Sequence, residues 1–126
     1  IQQFVDKNFG VYADYEAELL TSSGYKFQPM DLISKPADEF LRRFFASRGY
    51  LDGVHGLVAS MLVSFGTFVV YAKVWEKQGF PEATLPLKSI EKEFNKSGKD
   101  IQFWIKNSLL SSEKNALIKL FKKMVY

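Results

Sequence analysis

The residues able to do chemistry are few, and most of them stand alone. Asp52 and His55 fall within one Asp-Gly-x-His stretch, a spacing that can set a carboxylate beside an imidazole for proton transfer. Such transfer needs a shaped pocket and a substrate, and the residues that follow are apolar. Asp52 is better placed to cap a long helix, with Gly53 making the tight turn into it. His55 is the single histidine and the chain has no cysteine. A multi-histidine or thiolate metal site and a thiol nucleophile are therefore excluded. Asp14 and Glu18 share a helix face, but two carboxylates alone make a solvated surface. No catalytic residue, metal ligand set or bound cofactor is assigned to this chain. Binding chemistry is better represented. Lys35, Arg42, Arg43 and Arg48 lie beside an apolar stripe, and guanidinium forks match phosphate oxygens. They are the candidates for contacting a phospholipid headgroup or the phosphate of a lipid-linked acceptor. The competing reading is that they complement a helix end and snorkel.

Charge is divided unevenly along the chain. Residues 1–76 carry 7 Lys/Arg against 9 Asp/Glu, net −2, whereas residues 77–126 carry 10 Lys against 5 acids, net +5. A basic distal part suits an anionic surface, although its lysines are interspersed with acids as on a solvated helix face. Nucleic acid is not expected as a partner, because the aromatics recur at core-like helical spacing and not as a stacking platform. Twelve Phe residues rule out a polar disordered tail. Asp6, Asp14, Glu16 and Glu18 interrupt any leader-like apolar run. The length allows one small domain or an appendage of a larger protein.

Every segment that must position these residues is expected to be helical. Phe4, Val5, Tyr12, Tyr15, Leu19 and Leu20 mark a first helix, stopped at Gly24. Ser34 and Pro36 are expected to start a second, amphipathic helix carrying Phe40, Leu41, Phe44 and Phe45, closed by Gly49. Val54 to Ala72 is an uncharged apolar run near the threshold for spanning a bilayer, flanked by Tyr50, Tyr71, Lys73 and Trp75. Gly56, Ser60 and Ser64 recur every four residues with Thr67 on the same side, a small-residue face suited to close helix packing. A helix apolar nearly all round is buried in protein or in lipid, and a short chain has little core to offer. The run can span, lie at the interface, or form a re-entrant hairpin with residues 36–48. Short helices are expected beyond Pro81: one around Leu87–Lys96 ending near Gly98, one from Ile101, and a last one capped by Ser111 or Ser112. The expected class is all-α, with residues 1–34 as helix and connector, 35–78 as a membrane-associating hairpin and 79–126 as a basic helical tail.

Residues Lys35 to Glu76 resemble a recurrent block of bacterial family 2 glycosyltransferases. The block has Lys-Pro, a Phe-Leu-Arg helix, Gly-aromatic-Leu-Asp-Gly, a Gly-led apolar run, and Tyr-x-Lys-aliphatic-aromatic-Glu. Here these are Lys35, Pro36, Phe40, Leu41, Arg42, Gly49, Tyr50, Leu51, Asp52, Gly53, Gly56, Tyr71, Ala72, Lys73, Val74, Trp75 and Glu76. Ile1, Asn8, Tyr12, Glu16 and Ala17 are similar to the helix leaving the family's catalytic domain. The resemblance covers about three-fifths of the chain; Ala37 and Asp38 depart from it, and residues 80–126 lie outside it. It implies a parent enzyme whose GT-A domain binds a nucleotide sugar with a divalent metal and acts on a lipid-linked or lipopolysaccharide acceptor. No Asp-x-Asp, strand-rich region or glycine-rich turn of that domain is present here. The expected role is a membrane-associating segment at the cytoplasmic face of the bacterial inner membrane, with membrane lipids as partner. The alternatives are a small non-enzymatic helical protein that binds membrane or a partner helix, and a soluble domain with Val54–Ala72 as its core helix.

Overall fold

A computed structural model describes residues 1–125, which form four helices and no strand. Helix α1 covers residues 2–22 and is widened over Lys7–Tyr12 into π-type turns. Helix α2 covers residues 31–46, with its last turn, Arg42–Ala46, also π-type. Helix α3 is Gly49–Lys77, opening with a 3₁₀ turn, Gly49–Asp52. Helix α4 is Leu87–Val125.

Local chemistry accounts for most of the ends. At the close of α1, Gly24 takes φ +92°, its N–H donates to the Thr21 carbonyl, and Tyr25 N–H reaches back to Leu20. That pair of bonds is the Schellman arrangement, which only a left-handed residue permits at low cost. Helix α3 ends identically: Gly79 at φ +82° donates to Glu76, and Phe80 N–H donates to Trp75. The accompanying hydrophobic contact is present as well, the Trp75 and Phe80 rings meeting edge to face at 4.8 Å.

Four expectations are corrected. Helix α2 starts at Asp31, so neither Ser34 nor Pro36 opens it, and Pro36 lies inside. The carbonyls of Gln28, Pro29 and Met30 accept the first N–H groups, and the Asp31 carboxylate accepts the Tyr25 hydroxyl. An acidic first turn thus supplies the start three residues before Ser34. Second, Asp52 makes no side-chain capping bond to α3, although Gly53 does make a sharp turn at φ +60°. Third, at the end of α2 the left-handed residue is Arg48, φ +59°, and not Gly49. Fourth, residues beyond Pro86 form one helix of 39 residues, about 58 Å long, instead of several short ones. Gly98, Ser111 and Ser112 sit within it. A glycine costs a helix only about 1 kcal/mol, which the surrounding Lys, Glu, Leu and Ile residues absorb.

Helix α3 is the centre of the fold, and two of its faces are covered. Gly66, Val70 and Val74, spaced by four, meet Phe9, Ala13 and Ala17 of α1, also spaced by four. Lys73 and Lys77 pair with Asp14 and Glu18 in the same order, at 2.7 and 3.6 Å, so α1 runs parallel to the distal half of α3. Helix α2 lies antiparallel on the proximal half, with the Ser64 hydroxyl donating to the Pro36 carbonyl at 2.8 Å. Hydrocarbon therefore cannot surround α3 on all sides; only one arc is left open. Helix α4 leans on α2, where Trp104 stacks on Phe45 with ring centres 6.3 Å apart.

A small side chain on each partner brings the helices close but buries little apolar area. The buried apolar residues are Ala13, Ala17, Leu41, Phe45, Val70 and Val74, and Val74 is the largest fully buried side chain. The accessible surface is 9400 Å², whereas a compact monomer of 14.5 kDa exposes about 6,900 Å². The side chain of Gln78 clamps the backbone of the connector between α1 and α2. The Gln78 amide accepts Phe27 N–H at 2.9 Å and donates to the Tyr25 carbonyl at 2.7 Å. Gln78→Ala leaves both half-buried groups unpaired and should lower stability by about 2 kcal/mol in chemical denaturation.

Candidate functional site

The open arc of α3 carries Val54, Leu57, Val58, Met61, Phe65 and Phe68, all exposed. Their spacing of three and four keeps them on one stripe. Phe65, mid-helix, is 51% exposed, and only 22% of the most apolar stretch of α3 is buried. From Val54 to Phe68 the stripe runs about 21 Å, and Trp75, also exposed, extends it to about 32 Å, against roughly 30 Å for the hydrocarbon of a bilayer. Aromatic residues with polar tips bound it. Tyr50 packs on Phe44 and Phe45, and the Trp75 indole N–H donates to the Pro81 carbonyl at 3.1 Å.

The small residues lie behind the stripe. Gly56, Ser60 and Ser64 are buried, while Thr67 is half-buried and donates to its own helix at Val63. Gly56 is the tightest point. A Cβ there would overlap the Gly49 carbonyl oxygen and stand 2.8 Å from its carbon. A Cβ on Gly49 would in turn meet the Arg43 carbonyl at 2.7 Å and the Phe44 Cα at 3.2 Å. The Gly-Tyr-Leu-Asp-Gly stretch is thus the corner at which α2 turns back along α3. Tyr50 faces the phenylalanine cluster, Leu51 is 68% exposed, and Asp52 is exposed. At the far end, Tyr71 meets Tyr25 edge to face at 5.6 Å, and Lys73 reaches Asp14. The Glu76 carbonyl accepts Gly79 N–H in the closing turn.

The basic residues do not converge. Arg42 donates to Glu39 at 2.6 Å, and Arg43 approaches the same carboxylate at 3.3 Å. The hydrogen bond from Arg42 to Glu39, and then the opposite charge, hold its guanidinium above the ordinary range. Lys35 and Arg42 edge a groove of about 390 Å³ between α1, α2 and α3 that also carries Glu16, Asp38 and Glu39. Arg48 stands apart at the corner. One carboxylate serving two arginines, with two more acids nearby, makes this groove mixed in charge and not an anion pocket.

Asp14 is exposed, yet the hydrogen bond from Lys73, with the charges of Lys73 and Lys77 adding to it, holds its carboxyl below the ordinary 3.8. A depressed folded-state value favours the fold above the ordinary carboxylate pKa and is lost as pH falls through the shifted one. NMR titration should place Asp14 below 3.8 in the wild type, and Lys73→Met should move it upward.

Sequence reasoning did not single out Phe9, Ala13 or Gln78, nor the pairing of Tyr25 with Asp31. The Ala13–Ala17 spacing was the available signal for the α1 seam; a glutamine clamping a distant connector leaves none. Among the described residues no group of three or more His, Cys, Asp or Glu comes together in a way that could hold a metal ion. Comparison with protein-family models, with curated proteins and with solved structures returned no match.

Proposed function

We propose that this chain is the membrane-associating C-terminal segment of a family 2 glycosyltransferase, working at the cytoplasmic face of the bacterial inner membrane. Its parent would pass a sugar from a nucleotide-sugar donor to a lipid-linked or lipopolysaccharide acceptor, and this segment contributes no catalytic group. The observation that carries the membrane reading is the open arc of α3: bilayer-length, apolar, and uncovered by the chain's own helices. The Gly49–Gly53 corner and the Tyr71–Glu76 stretch support the link to the family through resemblance alone.

The physical gain is confinement. An acceptor held in the leaflet meets a soluble donor only at the surface, and fixing the catalytic domain there converts a volume search into a surface one. Helix α1 is suited to transmit that orientation, because its seam with Gly66, Val70 and Val74 is close-packed. The second reading, a non-enzymatic helical protein binding membrane or a partner helix, draws on the exposed distal part of α4. Vesicle flotation tests the membrane half: the chain should rise with phosphatidylcholine/phosphatidylglycerol vesicles, and a compact monomer that stays below would contradict it. Reading the gene upstream of Ile1 tests the parent. An Asp-x-Asp within a βαβ pattern is expected, and its absence favours the second reading.

A further inference from the structure

We infer that the distal half of α4 is a second membrane contact, an in-plane anchor selective for anionic lipid, and that its lysines supply the headgroup recognition. The inference rests on the membrane reading proposed above. Helix α4 packs on the rest of the fold around Trp104, which stacks on Phe45. From Leu109 to Val125 every described residue is exposed. That length is still amphipathic. Leu110, Leu117, Phe121 and Met124 share one face, with Phe121 67% exposed, and Lys119, Lys122 and Lys123 lie away from it.

Charge identifies the occupant. In the first half of α4, Lys88, Lys92, Lys96 and Lys99 are largely offset by Glu91, Glu93 and Asp100. Beyond Asp100, Lys106, Lys114, Lys119, Lys122 and Lys123 face a single acid, Glu113. Lys114 and Lys122 also border the apolar patch formed by Leu117, Ile118, Phe121 and Val125. A second copy docked there would bring like charges together, with little to offset them. An anionic leaflet instead meets the patch with hydrocarbon and its borders with phosphate, while the lysine stems snorkel. The groove edged by Lys35 and Arg42 offers no such excess, because Glu16, Asp38 and Glu39 line it as well.

The test uses the full chain with vesicles of phosphatidylcholine alone and of phosphatidylcholine with phosphatidylglycerol. Each lysine near an anionic surface is worth roughly fivefold in partitioning, so Lys114→Gln/Lys119→Gln/Lys122→Gln should lose on the order of 100-fold on anionic vesicles and little on neutral ones. Backbone amides of residues 109–125 should gain protection from hydrogen exchange on anionic vesicles. Met61→Ser/Phe65→Ser, on α3, should weaken binding to both vesicle types and so reports separately on the membrane reading. Unchanged anionic binding by the triple variant, or equal binding of the wild type to both vesicles, would overturn the inference and leave that reading standing. So would a concentration-dependent dimer abolished by Phe121→Ser. A wild type that binds neither vesicle overturns both.

Discussion

Gly56→Ala should lower the unfolding free energy by about 3 kcal/mol, the upper end of what one added methyl does in a packed interior. The added carbon would overlap the Gly49 carbonyl oxygen, and both neighbouring atoms are backbone, so no rotamer change relieves the clash. Relief requires α2 and α3 to separate at their corner, which also stretches the Ser64–Pro36 hydrogen bond further along the seam. Denaturant unfolding in mild detergent reads the effect. Gly98→Ala is the control: nothing lies within 4 Å of its Cβ position, and the change should stabilise α4 by about 1 kcal/mol. Equal behaviour of the two variants would mean that the corner is not close-packed.

Phe65→Asp should reduce partitioning into vesicles by roughly 100- to 1,000-fold while leaving the helical content in detergent unchanged. An aspartate at the middle of a membrane-embedded helix costs about 2.5–3.5 kcal/mol, and the phenylalanine's favourable transfer is lost with it. Phe65 is half exposed, and among the described residues no aromatic ring pairs with it, so the cost falls on membrane affinity and not on packing. Ser64→Asp, one residue earlier, should behave oppositely. Ser64 is buried and donates to the Pro36 carbonyl, and a carboxylate there would face that acceptor with no proton to donate. It should disrupt the fold in detergent and in membranes alike. The contrast between adjacent positions separates a lipid-facing arc from a protein-facing one.

Much of the fold could be read from residue spacing. The all-helical class, the long apolar helix and the stop at Gly24 follow from periodicity and from a glycine free to take positive φ. The small residues Gly56, Ser60 and Ser64 were recognisable as a face before any neighbour was known. What stayed hidden was set by tertiary context. Pro36 suggests a helix start because a first-turn proline is unpenalised, but here an acidic residue five positions earlier, Asp31, is already helical. Gly98 and Ser111 suggest breaks, yet no competing turn geometry arises there and the helix continues. The arginines near the second helix read as an anion site, whereas Glu39, four or fewer residues away on the same face, claims both Arg42 and Arg43. The apolar girth of α3 does not by itself mark the arc facing α1, because Val70 and Val74 are as apolar as the residues of the open arc until Ala13 and Ala17 are placed against them.

The most direct measurement exploits the absence of cysteine. Single cysteines at positions 57, 61, 65 and 68, and in turn at 60, 64, 70 and 74, would be spin-labelled and the chain reconstituted in vesicles. Collision with oxygen, which concentrates in hydrocarbon, would be compared with collision with a water-soluble nickel chelate. The account predicts high oxygen and low nickel accessibility at the first set, with both low at the second. High nickel accessibility along the first set would contradict it, placing the stripe in water instead of lipid.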